Sequence, residues 1–130
     1  DRMGFTLDST LGFARQDGFR RATCVPFRLY DLDADRPLDL WEAPLAVMDT
    51  TLFVHRGLPP DEAETAIVSV LAAAKRVGGC VVLLWHNEPE GGASSAGLAV
   101  LERALGAAEA EGAALGGLHG LLAAWRVSGA

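Results

Sequence analysis

The chain has 130 residues, of which 50% are apolar and 22% are charged, a composition typical of a folded domain rather than a disordered segment. Its net charge of −6 argues against sequence-independent binding of nucleic acid or anionic lipid, because phosphate groups attract a surplus of Lys and Arg. No apolar run approaches the roughly 18 residues of a membrane helix, and no basic-then-apolar signal peptide begins the sequence. Without an obvious linker or internal repeat, residues 1–130 are predicted to form one domain, or part of one.

In the first half of the chain, the sequence pattern predicts strands that alternate with loops. Apolar or β-branched runs predict strands at residues 4–7, 22–30 and 45–48. Pro26 interrupts the second of these runs. The composition between them predicts ordered loops at residues 11–21 and 31–39.

Residues 61–77 are predicted to form an amphipathic helix. Asp61 is the expected N-cap and Glu64 follows three residues later, the spacing of a capping box. Gly78 and Gly79 end the pattern. The apolar face consists of Ala63, Ile67, Val70, Leu71, Ala74 and Val77.

A continuous apolar run at residues 80–85 follows, as in a parallel strand that is covered on both faces. Two further helices are predicted at residues 95–111 and 118–125. The first of these has an expected apolar side of Leu98, Leu101, Leu105 and Ala108. Helix, buried strand and helix in succession predict an α/β fold.

Cys24 and Cys80 are distant in sequence and form no CxxC motif. Buried free thiols are favoured over a disulfide, which is mildly typical of a reducing compartment such as the cytoplasm. The compartment stays open, because the sequence begins at Asp1 rather than at Met.

Three predicted strands end in polar residues that could perform chemistry: Asp8, Asp49, and the pair His86-Asn87. Ligands of parallel α/β folds bind at the carboxyl ends of strands, where carboxylates can fix the tautomer of a histidine. An Asp after a strand is more often a turn former or a helix cap, and a His in this position is often structural. The threefold repetition of the pattern favours a functional interpretation.

Other motifs give weaker signals. His55 and His119 are expected at the surface or in structural positions, and neither belongs to an HxH or HxxxH pair. The sequence lacks a GxSxG, P-loop or GxGxxG motif. A basic cluster is expected to be a solvated face, or to contribute one carboxylate clamp, and it consists of Arg15, Arg20, Arg21 and Arg28.

The ordered set of motifs resembles the C-terminal half of the polysaccharide deacetylase-like family, which are carbohydrate esterases of the NodB-homology type. The matching segments are D-S-T-L-G-F at 8–13, G-F-R-R-A-T-C-V-P-F at 18–27, Y-D-L at 30–32, A-P-L-A-V-M-D at 43–49 and G-G-C-V-V-L-L-W-H-N at 78–87. This resemblance implies part of a distorted (β/α) barrel with parallel strands, the remainder of which is a missing N-terminal half.

The resemblance also implies roles for individual residues. His86 resembles the general acid that protonates the leaving group, and Asp49 resembles the carboxylate that pairs with it. Arg20 resembles the arginine that orients the catalytic base, although its spacing from Pro26 departs from the usual R-x-P. The implied substrate-binding residues are Trp85, Leu84 and Asp8.

In that family a divalent metal, zinc above all, polarises an acetyl carbonyl and activates water. The paired-Asp and H-x-x-x-H motifs that hold the metal are absent from this sequence, so no metal is expected in this chain alone. The leading hypothesis is the C-terminal part of a metal-dependent glycan deacetylase acting on N- or O-acetyl groups. The alternatives are a non-catalytic carbohydrate-binding or scaffolding domain on the same fold, and an unrelated hydrolase or transferase that uses His86 and Asp49 without metal.

Overall fold

The structure, a computed structural model, describes residues 4–87 and 94–127, which form a mixed α/β fold. The strands are β1 (Leu7–Asp8), β2 (Phe27–Asp31), β3 (Arg36–Glu42), β4 (Leu45–Met48) and β5 (Val82–Leu84). The helices are α1 (Pro60–Lys75), α2 (Ser95–Ala110) and α3 (Leu118–Val127), and a π-helix spans Thr51–His55. The α/β class expected from the sequence is confirmed. None of the described helices is long and apolar enough to cross a membrane.

The described strands form two small sheets rather than a closed barrel. One sheet has the order β1-β3-β2, in which β1 is parallel and β2 antiparallel to β3. The other consists of β4 and β5, which are parallel. The prediction of parallel strands therefore applies to two of the three pairings, and the third is a hairpin.

The hairpin between β2 and β3 corrects the predicted loop at 31–39, because β3 begins at Arg36. The connecting turn is built from acidic residues. Asp31 Oδ1 accepts hydrogen bonds from the backbone N–H groups of Asp33 and Ala34, at 3.1 and 3.0 Å. Asp35 has φ of +50°, a left-handed conformation that Asp tolerates better than most residues. The Tyr30 hydroxyl donates to Asp35 at 2.8 Å and closes the turn.

The hydrophobic core lies where β4 packs against α1 and where α1 packs against α2. Chain order β4, π-helix, α1, β5 makes this a βαβ unit, the expected connection between parallel strands. The buried cluster consists of Ala46, Val47, Leu52, Ala63, Ile67, Val70, Val100 and Ala104. These side chains hold β4 and β5 in register, and the candidate site lies directly after both strands.

Helix α1 confirms the strongest sequence prediction, with a correction at its start. The N-cap is Pro59 rather than Asp61, and no side chain caps the helix. Pro60 occupies the first turn, where its missing N–H has no cost. Glu64 therefore takes no part in a capping box, and its carboxylate instead accepts a hydrogen bond from Arg103 of α2 at 2.6 Å.

Helix α2 spans the predicted residues but turns a different face to the core. Its buried residues are Gly97, Val100, Ala104 and Ala108, and only the last of these was predicted. Leu98, expected on the apolar side, is 44% exposed. Small residues on both helices allow α1 and α2 to approach closely, so size outweighs hydrophobicity in choosing the buried face.

Both cysteines are free, as the sequence favoured. Cys24 is buried, and its carbonyl accepts a hydrogen bond from the Cys80 N–H at 2.7 Å. Burial, with a smaller contribution from Cys24, raises the pKa of the Cys80 thiol to about 11. Cys80 is accordingly protonated and a poor nucleophile at neutral pH.

We predict that Ile67→Ala lowers the free energy of unfolding by about 2–5 kcal/mol, since Ile67 is fully buried and its truncation leaves a cavity. Val68→Ala on the same helix is the control. Val68 is 40% exposed, and its loss is expected to change stability by at most about 0.5 kcal/mol. Urea unfolding of the two variants measures both effects, and equal losses would contradict this assignment of the core.

Candidate functional site

Asp49 lies at the carboxyl end of β4 and is completely buried. Its carboxylate accepts a hydrogen bond from the Thr50 N–H through Oδ1 at 2.7 Å. Oδ2 accepts from the His86 N–H at 2.8 Å. Buried charge is costly unless donors compensate it, and these backbone groups fix the carboxylate in one position.

His86 follows β5 and makes a second contact with the same carboxylate. Because β4 and β5 are parallel and Met48 pairs with Leu84, the residues that follow the two strands lie side by side. The His86 Nδ1 atom lies 2.6 Å from Asp49 Oδ1. The imidazole is 41% exposed, so the pair combines a buried carboxylate with an accessible ring.

This geometry assigns the histidine tautomer. An ionised carboxylate only accepts hydrogen bonds, so the proton between the two groups belongs to Nδ1. The remaining nitrogen, Nε2, is then the one that can exchange a proton with a ligand or with water. A buried carboxylate that orients an accessible imidazole is the arrangement used in general acid–base catalysis.

The π-helix that follows Asp49 is held in place by a hydrogen bond to an earlier loop. Thr51 is completely buried, and its hydroxyl donates to the Ala14 carbonyl at 3.1 Å. This bond ties the start of the π-helix to the loop that precedes β2. π-Helical turns occur often at functional sites, where they re-aim side chains.

Two aromatic rings lie beside the pair. Phe53 of the π-helix packs against Trp85 edge to face, with ring centroids 5.9 Å apart. Trp85 is half-buried, and its Nε1 donor is buried without a partner among the described residues. Leu84, the other predicted pocket residue, is 41% exposed. Trp85 directly precedes His86 in the chain, and Leu84 lies two residues before it.

Asp8 is not joined to this pair by any hydrogen bond or ion pair in the described part of the chain. It ends β1 in the other sheet, where it lies opposite Glu42 of β3. Its carboxylate accepts hydrogen bonds from the Ser9 N–H at 2.8 Å and from the Thr10 hydroxyl at 3.0 Å. The three polar strand ends therefore form two groups, one around Asp49 and one around Asp8.

Arg20 is exposed, and Nη1 donates to the Gly12 carbonyl at 3.4 Å. Within the described residues it makes no ion pair. Of the basic cluster, Arg28 pairs with Asp39 at 3.1 Å on the surface of the hairpin. These contacts are structural, and they do not bring an arginine to Asp49 or His86.

The described residues do not fit a metal ion. Across 4–87 and 94–127, no three His, Cys, Asp or Glu side chains are grouped so that they could hold one. His55 and His119 are exposed, as the sequence suggested. Glu88 and Pro89, which continue the polar segment after His86, lie outside the described residues.

Comparison of the chain with protein-family models, with curated proteins and with solved structures found no match.

The sequence reasoning missed Glu42, which is completely buried at the end of β3. Desolvation raises the pKa of its carboxyl group, and the nearby Asp8 raises it further, against the opposing hydrogen bond from the Leu11 N–H. The available signal was the alternation of Leu38 and Leu40 with polar residues, the pattern of a half-buried strand. An acid that ends such a strand belongs with the other polar strand ends.

We predict that Asp49→Asn lowers the free energy of unfolding by about 1–3 kcal/mol. The NH2 group of asparagine would replace one carboxylate oxygen, and it cannot accept the hydrogen bond that a backbone N–H now donates to that oxygen. Asp39→Asn is the matched control. Its carboxylate is exposed and pairs with Arg28 at the surface, so a change within about 0.5 kcal/mol is expected. Urea unfolding compares the two, and an equally small effect of Asp49→Asn would show that its three hydrogen bonds are not formed.

Proposed function

We propose that the protein is part of a polysaccharide deacetylase-like hydrolase that removes N- or O-acetyl groups from glycans, with His86 as the general acid and Asp49 as its partner. The observation that carries the proposal is the 2.6 Å contact between His86 Nδ1 and the fully buried Asp49 carboxylate. A surface ion pair would leave both groups exposed. Here the carboxylate is desolvated and only the ring is accessible, as the transfer of a proton to a ligand requires.

The supporting arrangement is the βαβ unit. The repeating element of a (β/α) barrel is a parallel strand pair with a connecting helix, and β4, α1 and β5 form one such unit. Ligands of these barrels bind at the carboxyl ends of the strands, where Asp49 and His86 lie. The segments 43–49 and 78–87, two of those on which the family resemblance rests, contain the two strands of this unit.

The proposed role of His86 is the donation of a proton at one atom. Attack of water on the acetyl carbonyl carbon forms a C–O bond and releases one water proton to solvent, and the bond between that carbon and the sugar nitrogen or oxygen then breaks. The departing atom takes the proton from Nε2 of protonated His86, so that it leaves as a neutral amine or hydroxyl. Asp49 keeps the ring oriented for this transfer through Nδ1.

The family resemblance implies a divalent metal that activates the water, but the described residues do not form a site for it. No step is therefore assigned to a metal here. Trp85 and Leu84 immediately precede the proton donor in the chain and are proposed to contact the acetyl group through their apolar surfaces. Arg20 and Asp8, given roles by the resemblance, have no described contact with the pair, and their roles stay predictions.

We predict that His86→Ala lowers kcat for acetate release by about 10²–10⁴-fold, the usual contribution of a general acid. The protein is expressed from its complete reading frame and assayed with Zn²⁺ on acetylated chito-oligosaccharides and acetylated xylan. His119→Ala, which removes an exposed histidine of α3, is the control and is expected to leave kcat unchanged. Thermal unfolding of both variants checks that the rate effect is not a loss of folding.

The same assay separates the alternatives. Loss of acetate release with a chelator supports the metal-dependent hydrolase, whereas full activity with chelator would replace it by a metal-independent hydrolase that uses the same pair. Saturable glycan binding without acetate release, with Zn²⁺ supplied, would replace it by a carbohydrate-binding domain. Equal activity of wild type and His86→Ala would remove His86 from the reaction.

A further inference from the structure

Glu42, at the end of β3 in the other sheet, is a buried acid with one oxygen that lacks a hydrogen-bond donor among the described residues. Its side chain is completely buried, and Oε1 accepts a hydrogen bond from the Leu11 N–H at 3.1 Å. Oε2 is buried and has no hydrogen-bond donor among the described residues. A buried carboxylate oxygen without a donor is costly, so a further group is needed at this position.

The neighbour of Glu42 is another acid. Because β1 and β3 are parallel with Asp8 opposite Glu42, both side chains leave the ends of adjacent strands at the same level. Directly opposite residues of adjacent strands project from the same face of a sheet, so the two carboxyl groups are neighbours. Two ionised carboxylates only accept hydrogen bonds and repel each other, whereas one protonated member can donate to the other.

Among the described residues, Asp8 is the one whose charge raises the pKa of the Glu42 carboxyl group. From the loop after β1, the contact is the uncharged Leu11 N–H. From β2, the residue opposite Glu42 is Phe27, which carries no charge. Asp8 is therefore the one charged partner that faces Glu42 from the described elements around it.

We propose that Glu42 is protonated and donates a hydrogen bond to Asp8, and that this acid pair holds residues 9–14 against the ends of β1 and β3. Two observations support this pair. Glu42 Oε2 is buried without a partner among the described residues, and the parallel register of β1 and β3 places Asp8 beside Glu42. The raised pKa of Glu42, caused first by burial and then by Asp8, agrees with this charge state.

The segment that the acid pair holds reaches the candidate functional site. Asp8 accepts hydrogen bonds from Ser9 and Thr10, and Glu42 accepts one from Leu11. Three residues after Leu11, the Ala14 carbonyl accepts a hydrogen bond from the hydroxyl of Thr51. Thr51 itself lies two residues after Asp49 in the chain. Ionisation of Glu42 is expected to loosen this segment, and with it one support of the π-helix. The acid pair is thus a pH-sensitive device that does not depend on the proposed function.

The pH dependence has a definite sign. A carboxyl group whose pKa is higher in the folded than in the unfolded chain stabilises the fold fully below its unfolded value, about 4.5. That contribution is lost as the pH rises through the raised folded value. At a pH above the folded pKa of Glu42, its ionised carboxylate is buried beside Asp8, and the contribution of Glu42 to the free energy of unfolding is at its lowest.

We predict that Glu42→Gln raises Tm at pH 8 by on the order of 2–8 °C, because glutamine donates permanently to Asp8 and still accepts from Leu11. The difference is expected to shrink as the pH falls towards 4.5, because wild-type Glu42 is then increasingly protonated in the folded chain. Glu42→Ala is the control that loses both contacts, and it is expected to be less stable than wild type at every pH. Thermal unfolding from pH 4.5 to 8 measures all three proteins.

Two results would overturn the proposal. One is a Glu42→Gln variant that is no more stable than wild type at pH 8. The other is a rise in wild-type Tm on addition of Ca²⁺ or Mg²⁺ that Glu42→Gln abolishes, which would place a cation rather than a proton between the carboxyl groups. A measurement that needs no variant is the ¹³C NMR titration of the wild-type side-chain carboxyls. Glu42 is expected to titrate above 4.5, and titration at or below that value contradicts the shared proton.

Discussion

The buried carboxylate of Asp49 is the constraint on which the candidate site depends. It has no exposed surface, and all of its stabilisation comes from hydrogen-bond donors of the residue that follows it and of His86. These bonds join the ends of β4 and β5 through a side chain, beyond the last backbone pairing of the two strands. The apolar core beneath, formed by β4, α1 and α2, keeps the strands in the register that this arrangement needs.

The two buried acids solve the same problem in opposite ways. Asp49 has donors for both oxygens, so burial and charge are compatible. Among the described residues, Glu42 has a donor for one oxygen only and its neighbour is another acid, so in our proposal a proton takes the place of the missing donor. The first arrangement leaves an accessible imidazole that can exchange protons. The second makes the support of the adjoining loop depend on pH.

Local sequence patterns predicted the parts of the fold that depend on local interactions. The helical spacing of α1 and its glycine stop are visible without any knowledge of the partners, so the helix and most of its buried face were predicted. The pairing of Asp49 with His86 was also predictable, because parallel strands place their carboxyl ends together. Asp8 shows the limit of that rule, since no local pattern reveals which strands share a sheet.

The wrong predictions arise from tertiary packing. In α2, Leu98 is more hydrophobic than Gly97 or Ala104, yet the close approach of α1 buries the smaller residues. Strand β3 was missed because its first residues, which include Pro37, follow an acidic segment typical of loops. Those residues form a strand because they pair with β2 in the hairpin. Since β3 was not predicted, Glu42 at its end was not recognised as a polar strand end.

The most direct test of this account is the tautomer of His86 in solution. ¹⁵N NMR of the imidazole, recorded at a pH where the ring is neutral, distinguishes a proton on Nδ1 from one on Nε2. The account predicts that Nδ1 carries the proton in the wild-type protein and that Asp49→Ala removes this preference, while the exposed His119 is unchanged. A neutral His86 protonated on Nε2, or one with the same tautomer in Asp49→Ala, would contradict the claim that Asp49 orients a proton donor at this site.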